Sequence, residues 1–370
     1  MILPYGLFFF LCLIGVIIFD LTNRVRGRIY YYIFLGVILT LIIGLRYKVG
    51  ADTLNYMGDY NWRVPLNEWR FTFIDNYQPG YTFLCAVGKS ISPDFYVFQL
   101  IHSSILNCLL LFFIWKNTKY IFSVLSALFL TYYLYFATEI LRESLAIMIF
   151  IYNYRSFEEK KWLNYYIGIA IACLFHISAI TLVILPFFSG ISSNKKYIII
   201  YCGVLIVGFF SRNVLQKIAE IPIFESKVNS YIDETSHGLF FDFLQVLRKS
   251  IIPACLCYFA SCVTSKKVLF EKFILIMALY GQASFFNPII FGRVTNYFII
   301  FYIISLSSFI LSSIRSYKRI VFRNGIAWLI IFLTAYGVEN FSYGKTKIWI
   351  PYSTIFSPIE VTPQQRGTPG

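Results

Sequence analysis

The sequence predicts an all-α polytopic membrane protein, and three observations carry that prediction. First, 58% of the 370 residues are hydrophobic and only 14% are charged, whereas a water-soluble domain carries roughly a quarter charged residues. Second, apolar runs of membrane-crossing length recur along the chain, and the mean hydropathy is +0.68. Third, lysine and arginine gather in alternate connections between those runs. A chain so poor in charge cannot cover a water-facing surface, which excludes a soluble enzyme, a disordered chain and a collagen-like one. The formal charge of +14 then bears on which side of the bilayer each loop occupies, not on nucleic acid.

The first run, 3–19, has no basic stretch before it and no small-residue cleavage site after it; Arg24, Arg26 and Arg28 follow it instead. It reads as a helix whose C-terminal end is cytoplasmic, not as a cleaved signal peptide, and it places the N-terminus outside. The later runs are 29–45, 94–115, 119–137, 139–155, 163–175, 177–189, 197–210, 248–264, 269–286, 288–312 and 324–340, giving about twelve spans and an external C-terminus. The run 80–92 is too short to cross and reads as a juxtamembrane or re-entrant helix on the outer side. The stretch 163–189 is divided near His176, because the division puts Lys195 and Lys196 inside. The short spans this creates are broken helices that rely on neighbouring protein to satisfy their backbone.

Charge tests this topology. The six short inner loops hold seventeen Lys/Arg against four acids, a net of +13, while the remaining fifteen cations and fourteen acids leave the outside at +1. Two sizeable external regions, 46–93 and 211–247, mix charges with aromatics, so the work is expected at the outer face. Residues 1–356 read as a single transmembrane domain, and the tail 357–370 has no apolar pattern and reads as disordered. The eight cysteines lie in or beside apolar runs with no CxxC pair, so they read as small buried hydrophobes. No Walker loop, HExxH, GxSxG or DxD occurs, and the three histidines lie far apart, so neither a metal nor another cofactor is expected.

Polar residues at the outer ends of helices are the candidate site. GLRYKVGADTLNY (44–56) brings Arg46, Asp52, Asn55 and Tyr56 to the end of the second span; the plainer reading of Arg46 and Tyr56 is interfacial anchoring. Gln78, Pro79, Gly80 and Tyr81 start a helix after a loop, which a simple turn also explains. Glu139, Arg142 and Glu143 open a span, and the spacing of four places the two acids on one helix face with Arg142 beside them, as a local ion pair or a functional group. His176 interrupts an apolar run, either as hydrogen-bonded filler or as a functional group. Arg293, in FGRVTNY, starts a long span just below the outer surface and needs an acid or a ligand phosphate. Arg46, Arg142 and Arg293 should lie at similar depth, and their planar forks suit a phosphate-bearing anionic lipid.

Taken in order, GLRYKVGADTLNY (44–56), QPGY (78–81), LRESLAIMIF (141–150) with Lys160 and Lys161, FHISA (175–179) with LP (185–186), FGRVTNYF (291–298) and IPY (350–352) resemble the EpsG/Wzy family of bacterial polysaccharide polymerases. The family often has Arg-Gln where this chain has Arg142–Glu143. The resemblance implies a GT-C-like, metal-independent glycosyltransferase of the bacterial inner membrane. It implies polymerisation of undecaprenyl-diphosphate-linked oligosaccharide repeat units at the outer, periplasmic face, for O-antigen, capsule or exopolysaccharide. It also implies membrane lipids, a flippase and a chain-length regulator as partners, and no nucleic acid. On that reading Arg46, Arg142 and Arg293 stabilise charge on the departing diphosphate. Asp52, His176 and Glu143 are the candidates for orienting or deprotonating the attacking hydroxyl, with Asp52 first. Tyr56, Tyr81 and Tyr352 would stack on sugar rings. Two other readings remain: a ligase-like single-transfer enzyme, told apart by its product, and a flippase or transporter of the lipid-linked glycan. The crowding of ionisable groups on one side counts against transport.

Overall fold

The computed structural model describes residues 3–72, 77–193, 197–203, 244–264, 268–284, 288–343 and 346–360. Among these the fold is all-helical, with isolated bridges (Arg46 to Thr354, Thr354 to Ser357) in place of a sheet. Five helical stretches among the described residues are long and apolar enough to cross a membrane: Leu3–Asp20, Phe95–Asn117, Ile121–Thr138, Phe291–Ile314 and Arg319–Tyr336. Arg28–Gly44, Trp162–Cys173 and Ile177–Phe188 are shorter apolar helices. Most of the region 211–247 that was expected to be external, and the part of the run 197–210 beyond residue 203, lie outside the described residues, as do Lys195, Lys196, Lys266 and Lys267.

The helices divide into two compact units, Met1–Val183 with Asn340–Gly370, and Ile184–Glu339. The first contains α1 (Leu3–Asp20), α2 (Arg28–Gly44), α3 (Thr53–Asn61), α4 (Pro79–Ile91), α5 (Phe95–Asn117), α6 (Ile121–Thr138), α7 (Leu141–Glu158) and α8 (Trp162–Cys173). The last turn of α1 and the middle of α6 (Phe129–Tyr133) are wound as π-helix. A break at 174–176 then leads into a 3-10 helix, Ile177–Phe188. The division near His176 is therefore present as a change of helix type, and Pro186, which offers no N–H, sits inside the tighter coil.

Helices in this unit alternate in direction. At one end, Asp20 closes α1 by accepting hydrogen bonds from Ser123 N and Oγ, both 2.8 Å, at the start of α6. Arg28, the first residue of α2, donates to the Lys119 carbonyl and lies 5.7 Å from the Trp115 ring centre, near the end of α5. At the other end, Gln99 in the first turns of α5 donates to the carbonyls of Gly44 (2.8 Å) and Arg46 (2.9 Å), where α2 finishes. The chain thus runs up α2, down α5 and up α6, with the first end rich in lysine and arginine.

Above α5, α3 and α4 form a cap. Pro79 is at the start of α4 after an extended Gln78, and Asp94 caps α5 by accepting from Tyr96 N at 2.9 Å. Tyr56, Tyr60, Tyr81, Cys85, Phe95, Phe98 and Leu141 are buried together beneath it. Tyr60 stacks on Phe98 with centroids 4.9 Å apart, a pairing that contributes roughly 0.5–1.5 kcal/mol beyond area burial. This end of the unit thus has its own apolar core, which holds the polar loops at its edge in place.

In the second unit, α9 (Ile252–Thr264), α10 (Glu271–Ala283), α11 (Pro288–Ile314) and α12 (Arg319–Tyr343, whose last residues pass into the first unit after Glu339) follow one another. Phe273 stacks on Phe301 at 4.5 Å between α10 and α11, and Ser250 donates to the Ala278 carbonyl at 2.6 Å. The described cysteines are free thiols; Cys12, Cys85 and Cys257 are buried, but Cys108 and Cys202 are exposed on apolar helix surface, a departure from uniform burial.

Candidate functional site

The loop that follows α2 is fixed from three directions. Tyr47 N donates to the Ser353 carbonyl (2.9 Å), Gly50 N to that of Ile348 (3.3 Å), and Ile355 N to that of Leu45 (3.0 Å), so the segment 346–360 runs back along the loop. Tyr352, 5% exposed, donates to the Ile42 carbonyl at 2.9 Å, and its ring meets Tyr5 edge-on at 5.2 Å. Tyr352 is thus part of the packing that holds this loop, not an open platform for a sugar. The chain expected to lose order from Ser357 continues to Glu360, which accepts from Tyr47 Oη (2.6 Å) and Lys48 Nζ (3.1 Å); 361–370 lie outside the described residues.

Arg46 also departs from the open placement its sequence context suggests. It is 1% exposed; Nη1 donates to the Ile43 carbonyl (2.7 Å) and Nε to that of Val49 (3.1 Å). Its Nη2 is buried with no hydrogen-bond partner among the described residues. The guanidinium folds back onto its own turn because the carbonyls freed at the end of α2 need donors.

Glu139, expected on one helix face with Glu143 and beside Arg142, is instead the hub of this end. It is 6% exposed, and its carboxylate accepts from Asp52 N (3.0 Å), Thr138 Oγ1 (2.6 Å) and Trp349 Nε1 (2.9 Å). Its backbone carbonyl accepts from Tyr56 Oη at 3.1 Å. Gly50, at φ +107°, lies against it: a Cβ there would stand 2.8 Å from Glu139 Oε1. Burial of a carboxylate between two helices was the available signal. The expected shared helix face of Glu139 and Glu143 does not form, because α6 ends at Thr138 and α7 begins at Leu141. Glu139 stands in the break, facing Asp52, while Glu143 is buried on α7.

Arg142, half-buried on the first turn of α7, lies over the Tyr77 ring, with Cζ 4.3 Å from its centre. Burial pushes the Tyr56 hydroxyl above the ordinary phenol range, Arg142 pulls it down and the Asp52 charge raises it, which puts all three groups within electrostatic reach. Asp52 is half-buried at the start of α3, with Asn55 Nδ2 3.4 Å from its Oδ1. Tyr81 is buried and tilted against Tyr56 at 6.3 Å.

His176 joins the same end. Gly80 N donates to the Leu174 carbonyl at 2.7 Å, and a Cβ at Gly80 would stand 2.7 Å from that oxygen, so only glycine lets α4 reach the break before His176. Ser178 N donates to His176 Nδ1 at 3.3 Å, and Ser178 Oγ lies 2.6 Å from the same nitrogen. An accepting Nδ1 leaves the proton of the neutral ring on Nε2, which makes that nitrogen a donor.

The first unit therefore unites residues from four separate stretches, at 46–56, 77–81, 139–143 and 174–178, at one end of its helices. Arg293 lies in the second unit, on α11, with its side chain exposed. Among the described residues, no group of three or more His, Cys, Asp or Glu is placed to hold a metal ion.

Fold and site define a polytopic, all-helical membrane protein with a compact polar site at one end of a helical unit. The sequence model of the EpsG family matches residues 29–354, most of the chain. The chain belongs to the EpsG family, which points to a function of the polysaccharide-polymerase type. Comparison with curated proteins and with solved structures returned no match.

Proposed function

We infer that this protein is a membrane glycosyltransferase that polymerises diphosphate-lipid-linked oligosaccharide repeat units, at the face carrying Asp52, Tyr56, Arg142 and His176. The observation that carries the reading is that Glu139 gathers Asp52, through its N–H, and Tyr56, through its hydroxyl, at the end of the unit where Arg142 lies over the Tyr77 ring, in a member of the EpsG family. The basic first end of the helices would face the cytoplasm, which puts this site on the outer side of the inner membrane, with about twelve spans and both termini external. The partners are undecaprenyl-diphosphate-linked oligosaccharides.

In the reaction, a hydroxyl of one lipid-linked unit attacks the anomeric carbon of the growing glycan. A new glycosidic C–O bond forms, and the bond from that carbon to the diphosphate oxygen breaks. The leaving diphosphate keeps the electron pair. Arg142 lies where that charge develops, and fixed cations at such a position commonly supply the largest part of the rate. Asp52 accepts the hydroxyl's proton. His176, donating from Nε2, orients a substrate oxygen. Arg46 and Tyr352 position the loop that bears Asp52, and Arg293 takes no step in this scheme.

The test is purified protein in nanodiscs supplied with a defined lipid-linked repeat unit and no ion gradient, with products read by mass spectrometry. A ladder of glycans is expected from the wild type. Arg142→Ala should fold and lose roughly 100- to 1,000-fold in rate. A single capped product would identify a ligase, and unchanged substrate a different function.

A further inference from the structure

Tyr77 meets a second guanidinium besides that of Arg142. Arg63, in the connection after α3, has Cζ 4.5 Å from the Tyr77 ring centre, and Arg142 has Cζ 4.3 Å from the same point. The two guanidinium carbons are therefore within about 9 Å of each other, both over the same aromatic ring. They come from stretches of chain 79 residues apart, so only the tertiary fold pairs them.

Two like charges this close repel unless something anionic sits near them. Asp59 supplies part of the compensation: Arg63 Nε donates to Asp59 Oδ2 at 3.1 Å, and Nη2 pairs with Oδ1. The pair is side-on and sheltered, with Arg63 and Asp59 side chains 16% and 11% exposed. It uses the Nε–Nη2 edge of the fork and takes nothing from Nη1. A guanidinium has five N–H donors, so Asp59 fixes the plane of Arg63 and leaves the Nη1 edge for another acceptor.

We propose that Arg63 is the second cation of the diphosphate site: Arg142 and Arg63 straddle the ligand's two phosphoryl groups, Tyr77 sets their spacing, and Asp59 orients Arg63. This rests on the glycosyltransferase reading above and adds the group that distinguishes a diphosphate carrier from a monophosphate one. A single arginine serves one phosphoryl group; two forks within about 9 Å of each other are matched to a ligand with two. Arg63 lies in the external loop region and not in a membrane span, so it reaches a headgroup without burying charge in hydrocarbon.

The experiment is isothermal titration of the purified full-length protein in detergent with farnesyl diphosphate and with farnesyl monophosphate. The wild type should prefer the diphosphate. Arg63→Gln should weaken diphosphate binding by roughly 10- to 100-fold and leave monophosphate binding within about twofold. Arg142→Gln should weaken both. Arg63→Lys keeps the charge beside Asp59 and loses the planar fork, so it guards against a misfolded glutamine variant; it should lose about threefold or more of the preference. Wild-type discrimination in Arg63→Gln or in Arg63→Lys overturns the assignment, as does an equal loss for both ligands. A wild type that makes glycan ladders yet binds the two ligands equally also overturns it, with the polymerase reading intact. A wild type that binds neither and makes no ladder overturns the polymerase reading itself.

Discussion

Replacing Glu139 by alanine would remove one carboxylate that ties three segments together. Asp52 N would lose the acceptor at 3.0 Å, and Trp349 Nε1 would keep only Thr138 Oγ1 at 2.9 Å. Thr138 Oγ1 retains its bond to the Leu134 carbonyl at 2.8 Å, so it is not stranded. A buried donor left unpaired costs about 1–3 kcal/mol. Glu139 is also the acid whose charge acts most on the buried Arg46, so its removal adds to the loss in the same direction. The expected loss is about 2–3 kcal/mol. At roughly 2–4 °C per kcal/mol for a unit of this size, the midpoint of thermal unfolding should fall by about 5–10 °C. Tryptophan fluorescence of purified protein in detergent measures it, and limited proteolysis should cut 346–360 sooner. Glu139→Gln keeps the shape and one acceptor oxygen and should cost less than half as much. A midpoint for Glu139→Ala within about 2 °C of wild type, or a glutamine variant worse than the alanine one, would refute the hub.

Gly50→Ala forces a side chain into a φ of +107° with its Cβ 2.8 Å from Glu139 Oε1; it should lose about 1–3 kcal/mol of stability, read by the same unfolding assay. Asp52→Asn should lower turnover by roughly 100- to 10,000-fold, and His176→Gln, which keeps a donor, by less; the reverse order in initial-rate measurements would make His176 the base. Hydrogen bonds from Tyr47 and Lys48 hold the Glu360 carboxyl below its ordinary value. Their contribution is therefore complete above about pH 4.3 and is lost as pH falls through the lower folded value. Proteolysis of the 346–360 segment should accelerate below that range and stay flat from pH 5 to 8 in wild type, and Glu360→Gln should remove the acid step.

The helical class, most helix ends and the division of 163–189 were legible because they follow from local quantities. Apolar run length decides α5 and α6, Pro79 and Asp94 mark where α4 and α5 begin, and alternating basic loops indicate direction. The clusters around Arg46, Asp52, Arg142 and His176 were legible for a related reason: charge among apolar residues is costly and is retained at specific places. What each residue does there was less legible. Glu139 and Glu143 sit four apart, a spacing that suggests a shared helix face, and the sequence did not show that the helix stops between them. Tyr352 reads as an exposed aromatic and is buried because the chain folds back over Arg46.

By itself, then, the sequence determined that this chain lives among apolar helices, where they begin and which stretches carry polar groups, since hydropathy, caps and prolines act over a few residues. Only the tertiary structure decided that Arg46 is enclosed by its own carbonyls, that Glu139 binds Asp52 and Trp349, and that Arg63 and Arg142 share the ring of Tyr77. Those facts depend on which distant segments meet, and that is set by packing of α3 and α4 on α5 and by the return of residues 346–360, contacts with no local signature in the chain.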